Sequence, residues 1–575
     1  MNTSHSDGLI GYQQPVMTTP VHRYWNSSSL FGPNLTAQDV GGAITWNIVR
    51  GSKSRDEMIM GTEDQNNDVT IQVYNSTGEW GNALKVTSDI VNSDSRDFDI
   101  EYEDISGRAL IVYENSSVTD TTFAFRLWNG TSYTAEQFSA TGLATSPVRW
   151  MRAYPRNGTD EIMVLMLTST SDISAILWNG TNFTSNWSLT VAAAAVNQQN
   201  FDFAWGSSGM GMAFWGSANN FARANYSNGA WSAVTNIGEG QGIVNVKACA
   251  SPIDDKFAVL FVDSGNDLNM FAFNGSTILA GNPAQDGTVT APGTNNANLD
   301  CIWNKAGTQA LMGWVNNVNT SSIAFNVYRT GANNWSNSDL VSPNYSTAVT
   351  GGVVRGFQFI QDTYTDEIMI PVMDSIKGIH YAGWNGTEFT NGTRLANDTN
   401  VVGGAQTGVG FDFYRYDSPP DFFNVSPNST VFAVNSNVVI NVSVIDNINV
   451  STVFANVTWP NGSFSSLELF NRTYSFYNTT FTSTALIGMY NITFIDNDTA
   501  GHVNTVQSNF SVQDTIPPNV TDLQPFGGAL RNVTQTIELS ANVTDNVAVS
   551  SVRANLTYPN GTIVLVTLAS AVGAK

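Results

Sequence analysis

The sequence predicts an all-β protein of several domains. Three observations carry that expectation. Gly is frequent (48) and aromatic residues make up 11% of the 575, while only 12% of residues are charged, a balance of globular β proteins rather than disordered chains. Short runs of alternating apolar and polar residues recur between Asp/Gly turns, and no long segment has 3.6-residue periodicity. The length itself calls for more than one domain.

Charge excludes several classes. With 47 acidic against 24 basic residues the formal charge is −23, so nucleic acid and anionic membranes would be repelled. The longest Ala/Val run, Val191 to Val196, is far short of the roughly 20 residues that span a bilayer. Two Cys and four His exclude zinc clusters and a disulfide-dense scaffold.

The asparagines speak to compartment. The chain has 64 Asn and 112 Ser plus Thr, and it holds 34 Asn-x-Ser/Thr triplets. Random placement would give about 12. The excess is expected of an N-glycosylated protein at the cell surface or outside the cell. Residues 1–5, MNTSH, lack the basic region and apolar stretch of a signal peptide, so the reading expects a trimmed N-terminus.

An aromatic landmark, usually followed by Asn, recurs at Trp25, Tyr74, Trp128, Trp178, Tyr226, Phe273, Tyr328 and Trp384, with spacings of 47 to 56 residues. Periods of that size mean blades or arrays. Each unit reads as four short strands; in one they are Asp97–Tyr102, Ala109–Tyr113, Phe123–Trp128 and a short strand near Tyr133. Asn-Gly at 129, 179, 274 and 385 suits a tight hairpin whose two central residues both need positive φ. The N-terminus reads as strands two to four of a unit (Leu9–Tyr12, Val21–Trp25, Ser29–Phe31), and the missing first strand reads at Gly410–Tyr416. Pairing the two ends would close a ring. On these features residues 1–417 resemble an eight-bladed β-propeller, the last blade composed of 8–38 and 408–417. No Trp-Asp, kelch or Asp-box signature names a family.

Beyond Tyr416 the period changes. Pro419-Pro420 and Pro517-Pro518 open two alike stretches, and Asp446–Gly462 matches Asp545–Gly561 at an offset of 99. Stretches of this size with Pro-rich joints resemble immunoglobulin-like sandwiches, at 418–514 and 515–575. No Cys…Trp…Cys set marks an antibody-type domain. Similar modules form stalks of archaeal and bacterial surface glycoproteins of the adhesin or surface-layer type. By the same offset the second copy would run to roughly residue 613, so the reading expects a truncated C-terminus and a lost anchor.

Aligning the first strands of the eight units places Asn47, Asp99, Met151, Asp202, Lys247, Asp300, Gln358 and Asp412 in one column. Carboxylates facing one channel repel unless a cation sits between them. One reading makes Asp99, Asp202, Asp300 and Asp412 a Ca²⁺ site of hard oxygen ligands; the other makes them hydrogen-bonded strand residues. With Lys247, Arg152 and Arg355 they are the candidate axial ligand site. Arg149 and Arg415 share those strands, and the arginines suit an anionic sugar. Cys249 and Cys301 lie nearly one period apart, as a disulfide or as buried thiols. His22 and His380 occupy equivalent third strands and read as packed residues. Asp56-Glu57, Asp160-Glu161 and Asp366-Glu367 recur before second strands and read as solvated turn elements. No triad, nucleophile elbow, zinc or phosphate motif is present.

In seven units one sequon falls at the landmark, at Asn26, Asn75, Asn129, Asn179, Asn225, Asn274 and Asn385, and in the remaining unit Asn334 lies close by. Turns between third and fourth strands share one face, which N-linked glycans would coat, leaving the opposite face for a ligand. Asn115 and Asn319 break the rule. The sequence thus reads as an extracellular binding head for carbohydrate or a surface protein on a stalk. The alternatives are a self-assembling surface-layer or filament subunit and a secreted polysaccharide-processing enzyme. No membrane span is expected.

Overall fold

The computed structural model describes residues 7–12, 17–26, 30–31, 33, 35–53, 55, 57–75, 79–88, 90, 95–115, 122–139, 147–190, 198–217, 220–238, 242–281, 299–315, 322–336, 340–341, 354–361, 368–374, 379–384, 386, 389, 393–396, 413–416, 420–427, 429–446, 450–473, 475–498 and 502–570. All regular elements among them are strands. No described helix is long and apolar enough to cross a membrane. The chain divides into two compact units, Met1–Ser418 and Pro419–Lys575.

In the first unit the described residues form eight antiparallel sheets, each running through four strands in its main order. One sheet runs Phe98–Tyr102, Ala109–Tyr113, Ala124–Trp128 and Gln137–Phe138 in order. Hairpin links are short, so consecutive strands pair. The exception joins the ends of the unit. Asp7–Tyr12 pairs with Val21–Asn26 on one side and with Phe413–Tyr416 on the other, with Leu9 opposite Tyr414 and Ile10 opposite Phe413. Phe411 lies outside the described residues. First strands lie beside one another in succession, from Phe413–Tyr416 and Ile44–Gly51 through Phe98–Tyr102, Val148–Pro155, Phe201–Trp205, Ile243–Ala250 and Leu299–Trp303 to Val354–Phe357.

Cores sit between adjacent sheets. The middle strands are apolar on both faces, as in Ile162–Thr168, because each sheet is covered on both sides. Phe98, Ile100 and Ile111 pack with Ile59 and Ile71 of the sheet before. Leu110 and Val112 pack with Val164 and Ile176 of the sheet after.

The landmark turns differ from expectation. Gly130 and Gly180 have φ of 94° and 90°, while Asn129 and Asn179 do not enter the left-handed region. Asn129 N–H donates to Ser132 O (3.2 Å), so Gly130-Thr131 are the central pair and Gly takes the first position, the one that needs positive φ in a II′ turn. The cause is the Asn side chain. Asn129 Oδ1 accepts from the backbone N–H of Thr131 and Ser132 and from Thr131 Oγ1, each at 2.9 Å; Asn179 repeats this with Thr181 and Asn182. That capping holds Asn one place before the bend. Asn-Gly fills both central positions in one described hairpin, Asn228-Gly229, with φ of 50° and 81°.

In the second unit residues 420–513 build a two-sheet sandwich. One sheet orders Asp421–Pro427, Val438–Ile445, Phe476–Phe481 and Phe470–Thr473. The other orders Val431–Ala433, Val503–Gln513, Gly488–Asp498, Val450–Thr458 and Phe464–Glu468. Alternation along Val438–Ile445, buried at every second residue, sends Val438, Ile440, Val442 and Val444 to a core shared with Tyr490, Ile492 and Phe494. After it come two separate hairpins, Asn519–Gln524 with Ser540–Thr544 and Val552–Thr557 with Ile563–Leu568.

Candidate functional site

The first strand of each sheet pairs through only one of its edges. Its other edge carries backbone N–H groups that need partners. Three aspartates of the column supply them. Asp99 Oδ2 accepts from Ala153 N–H (2.9 Å), Asp202 Oδ2 from Ala248 N–H (2.9 Å) and Asp300 Oδ2 from Phe359 N–H (2.7 Å). Each donor belongs to the next sheet, one or two residues beyond that sheet's column position. The carboxylates therefore turn sideways. Among the described residues no group of three or more His, Cys, Asp or Glu is placed to hold a metal ion. Asp412 lies outside the described residues.

Around these clips the cations gather. Asp99 is fully buried, and Arg96 Nη2 donates to it at 2.9 Å; Arg50 and Arg152 stand 3.8 and 3.7 Å away. Burial would raise the Asp99 carboxyl, but Arg96, Arg152 and Arg50 together hold it below its ordinary value. Arg50 also donates to Glu101 at 2.5 Å, and burial outweighs that partner, leaving Glu101 above its ordinary value. Tyr154 Oη donates to Asp202 Oδ1 at 2.5 Å. Burial, then the neighbouring Arg152, lower the Lys247 ammonium, against the pull of Asp202 and Asp300. Burial pushes Asp300 up to about 6 despite Lys247.

Two of the cations are under-used. Arg152 Nε is shut from solvent with no hydrogen-bond partner, although about a fifth of its side chain is exposed. Lys247 is partly buried in the field of Arg152. Three arginines share the one Asp99 carboxylate, and buried cations gain from a further anion. Arg355 sits in the strand Val354–Phe357, its side chain outside the described residues, as is that of Arg415.

The remaining sequence candidates separate. Cys249 and Cys301 are joined in a disulfide across adjacent first strands, Cα atoms 5.9 Å apart. His22 is buried and accepts from Trp80 Nε1 (3.2 Å), and burial lowers it to about 4; His380 is buried as well. Of the acidic pairs, Glu57 and Asp160 are not solvated turn elements, and Asp56 lies outside the described residues. Glu57 is buried and accepts from Trp128 Nε1 (2.9 Å) and Tyr102 Oη (3.2 Å). Asp160 Oδ1 accepts from Ile105 and Ser106 N–H at 2.9 Å. They stitch neighbouring sheets, and no turn-level reading of sequence shows a partner 45 or more residues away. Asp366 and Glu367 lie outside the described residues. Arg50, Arg96, Glu101 and Tyr154 escaped the sequence reading because they fall off the aligned column. For the arginines the only signal was the scarcity of basic residues, 24 in 575, against Arg50, Arg96, Arg149 and Arg152 all on or within two residues of first strands.

Of the landmark asparagines, Asn129, Asn179, Asn274 and Asn334 are exposed. Asn225 departs from the turn reading: it lies inside the strand Phe221–Ser227, opposite Met212, because the bend falls at Asn228-Gly229. Asn26 and Asn75 end strands with side chains outside the described residues, and Asn385 lies outside them altogether.

No protein-family model matches this chain, and no curated protein does. Solved structures do show likeness. The BP39L lectin of Burkholderia pseudomallei shares 13% identity at a TM-score of 0.41, over 61% of this chain and 100% of that one. The fucose-recognising fungal lectin of Aleuria aurantia, a six-bladed β-propeller, shares 14% identity at 0.28, over 50% and 98%. A post-proline cleaving enzyme of Rickettsia typhi shares 8% at 0.33, over 83% and 54%. At TM-scores below 0.5 these likenesses carry no argument about ligand or chemistry.

Proposed function

We propose that the eight sheets close as an eight-bladed propeller and that this unit is an extracellular binding head whose axial site takes a carbohydrate bearing a fixed negative charge. One observation carries the reading. In a chain of formal charge −23, Arg50, Arg96, Arg152 and Lys247 assemble on or beside the first strands of four sheets within a run of five; Arg152 shares the Asp99 carboxylate with two other arginines, its Nε 3.7 Å away, and Lys247 makes no ion pair among the described residues. A sulfate or carboxylate would complete them, and Tyr154 and Asp202 add polar groups suited to hydroxyls. Asp99, Asp202 and Asp300 commit oxygens to backbone amides, which favours neither a Ca²⁺ shell nor an acid/nucleophile pair.

In this reading the head is followed along the chain by immunoglobulin-like modules and is N-glycosylated, as the sequon excess and the exposed, Asx-capped Asn129 and Asn179 support. Titration of the full chain with a sulfated oligosaccharide tests the site. Arg152→Ala and Lys247→Ala should each weaken binding about tenfold or more, while the unsulfated sugar binds weakly to all. Protonation of Asp300 below about pH 6 removes a negative charge from beside Lys247, so affinity for the sulfated ligand should rise as pH falls from 7 to 5. Equal binding of neutral and sulfated sugars, unmoved by either substitution, overturns the proposal.

A further inference from the structure

The two hairpins at 519–568 repeat half of the preceding sandwich. At the offset of 99, Val552–Thr557 with Ile563–Leu568 corresponds to Val450–Thr458 with Phe464–Glu468, and the register repeats: Ala455 faces Leu467, and Ala554 faces Val566. Ser540–Thr544 corresponds to the end of Val438–Ile445. Between the two hairpins runs a groove of 470 Å³ walled by Leu539, Ala541, Val543, Val552, Ala554 and Leu568. Their counterparts are Ile440, Val442, Val444, Val453, Ala455 and Leu469, all core residues of the sandwich. The walls of the groove are therefore core walls.

The sandwich shows what covers such walls. Gly488–Asp498 pairs with Val450–Thr458, and Val503–Gln513 pairs with Gly488–Asp498. They bring Tyr490, Ile492, Phe494, Phe510 and Val512 into the core. Among the described residues no strand occupies the corresponding place beside Val552–Thr557, which pairs with Ile563–Leu568 alone. The edge is open and the apolar face lies beside it: Ile537 is 48% exposed and Leu556 37%.

We propose that this groove is a strand-acceptor site whose occupant is an antiparallel strand pair with aromatic and β-branched residues at alternate positions, the chemistry of residues 488–513. Such a pair would add main-chain hydrogen bonds to Val552–Thr557 and fill the groove with every second side chain. Spacing of two is what the acceptor reads, since a one-residue slip would turn the apolar set outward.

The test uses the full chain and a synthetic peptide of residues 488–513. Saturable binding should slow amide exchange in Val552–Thr557 about tenfold or more and leave the strands of the 1–418 unit unchanged. The peptide carrying Ile492→Asp and Phe494→Asp should neither bind nor slow exchange there, and Ala554→Asp in the chain should abolish the effect. Absence of protection overturns the proposal, as does equal protection by the doubly charged peptide. Protection that rises with chain concentration and needs no peptide also overturns it, since the occupant is then a second copy.

Discussion

The 1–418 unit and the sandwich at 420–513 join their sheets by different means. The sandwich stacks two sheets face to face over an apolar core in which Val438, Ile440, Val457 and Tyr490 are fully buried, and its buried acids find partners beside their own strand: Asp496 accepts from Asn504 N–H (3.2 Å) and Asp498 meets His502 Nδ1 (2.6 Å). In the first unit, first strands lie side by side with one edge of each outside its ladder. There the junctions carry polar clips, Asp99 to Ala153, Asp202 to Ala248 and Asp300 to Phe359, and the indole of Trp178 donates to Glu103 at 2.5 Å. The difference teaches that charge buried between sheets follows from how they meet: an edge brings backbone donors into the interior, and those donors need acceptors.

The largest expected effect is at the disulfide. Its Cys are 52 residues apart, so Cys301→Ser should lower the stability of the first unit by about 4 kcal/mol in the loop-entropy account and leave the sandwich midpoint in place. Denaturant unfolding followed by unit-specific tryptophan and proteolysis checks it; a shift of both transitions would break the comparison. Next comes a matched pair within the tail. Ile440→Ala empties a filled core and should cost about 3 kcal/mol, whereas Leu539→Ala, in the open groove, should cost less than about 1 kcal/mol.

The smallest effect concerns buried charge. Burial, then neighbouring Asp97, hold the fully buried Glu63 carboxyl well above its ordinary 4.5. The folded chain keeps that proton where the unfolded chain releases it, so Glu63 costs stability progressively as pH rises above 4.5. Glu63→Gln should therefore raise the melting temperature by about 2–4 °C at pH 7 and by nothing near pH 4. A variant less stable at pH 7 would mean that the ionised carboxylate earns a partner in the fold.

Much of the architecture was legible in the residues. Strand alternation and landmark spacing located the four-strand units, and the end-to-end pairing of Leu9 with Tyr414 followed from counting which strand was missing at the N-terminus. The offset of 99 marked the repeat. The site was only partly legible. Aligning first strands found Asp99, Asp202, Asp300 and Lys247, since a column needs only period and register. It did not find Arg50, Arg96 or Tyr154, and Glu57 read as turn chemistry.

The sequence alone determined the class of structure, the repeat and the positions that could face inward, because periodicity is a property of the chain taken two residues at a time. Tertiary structure decided which inward group meets which: that Asp202 bonds a backbone amide of the next sheet instead of facing its fellow carboxylates, that Arg50 and Arg152 come to Asp99, and that the same apolar pattern is a core at Val438 and a groove wall at Leu539. Those outcomes depend on partners 40 or more residues away, or on a strand being present at all, and no local pattern encodes either.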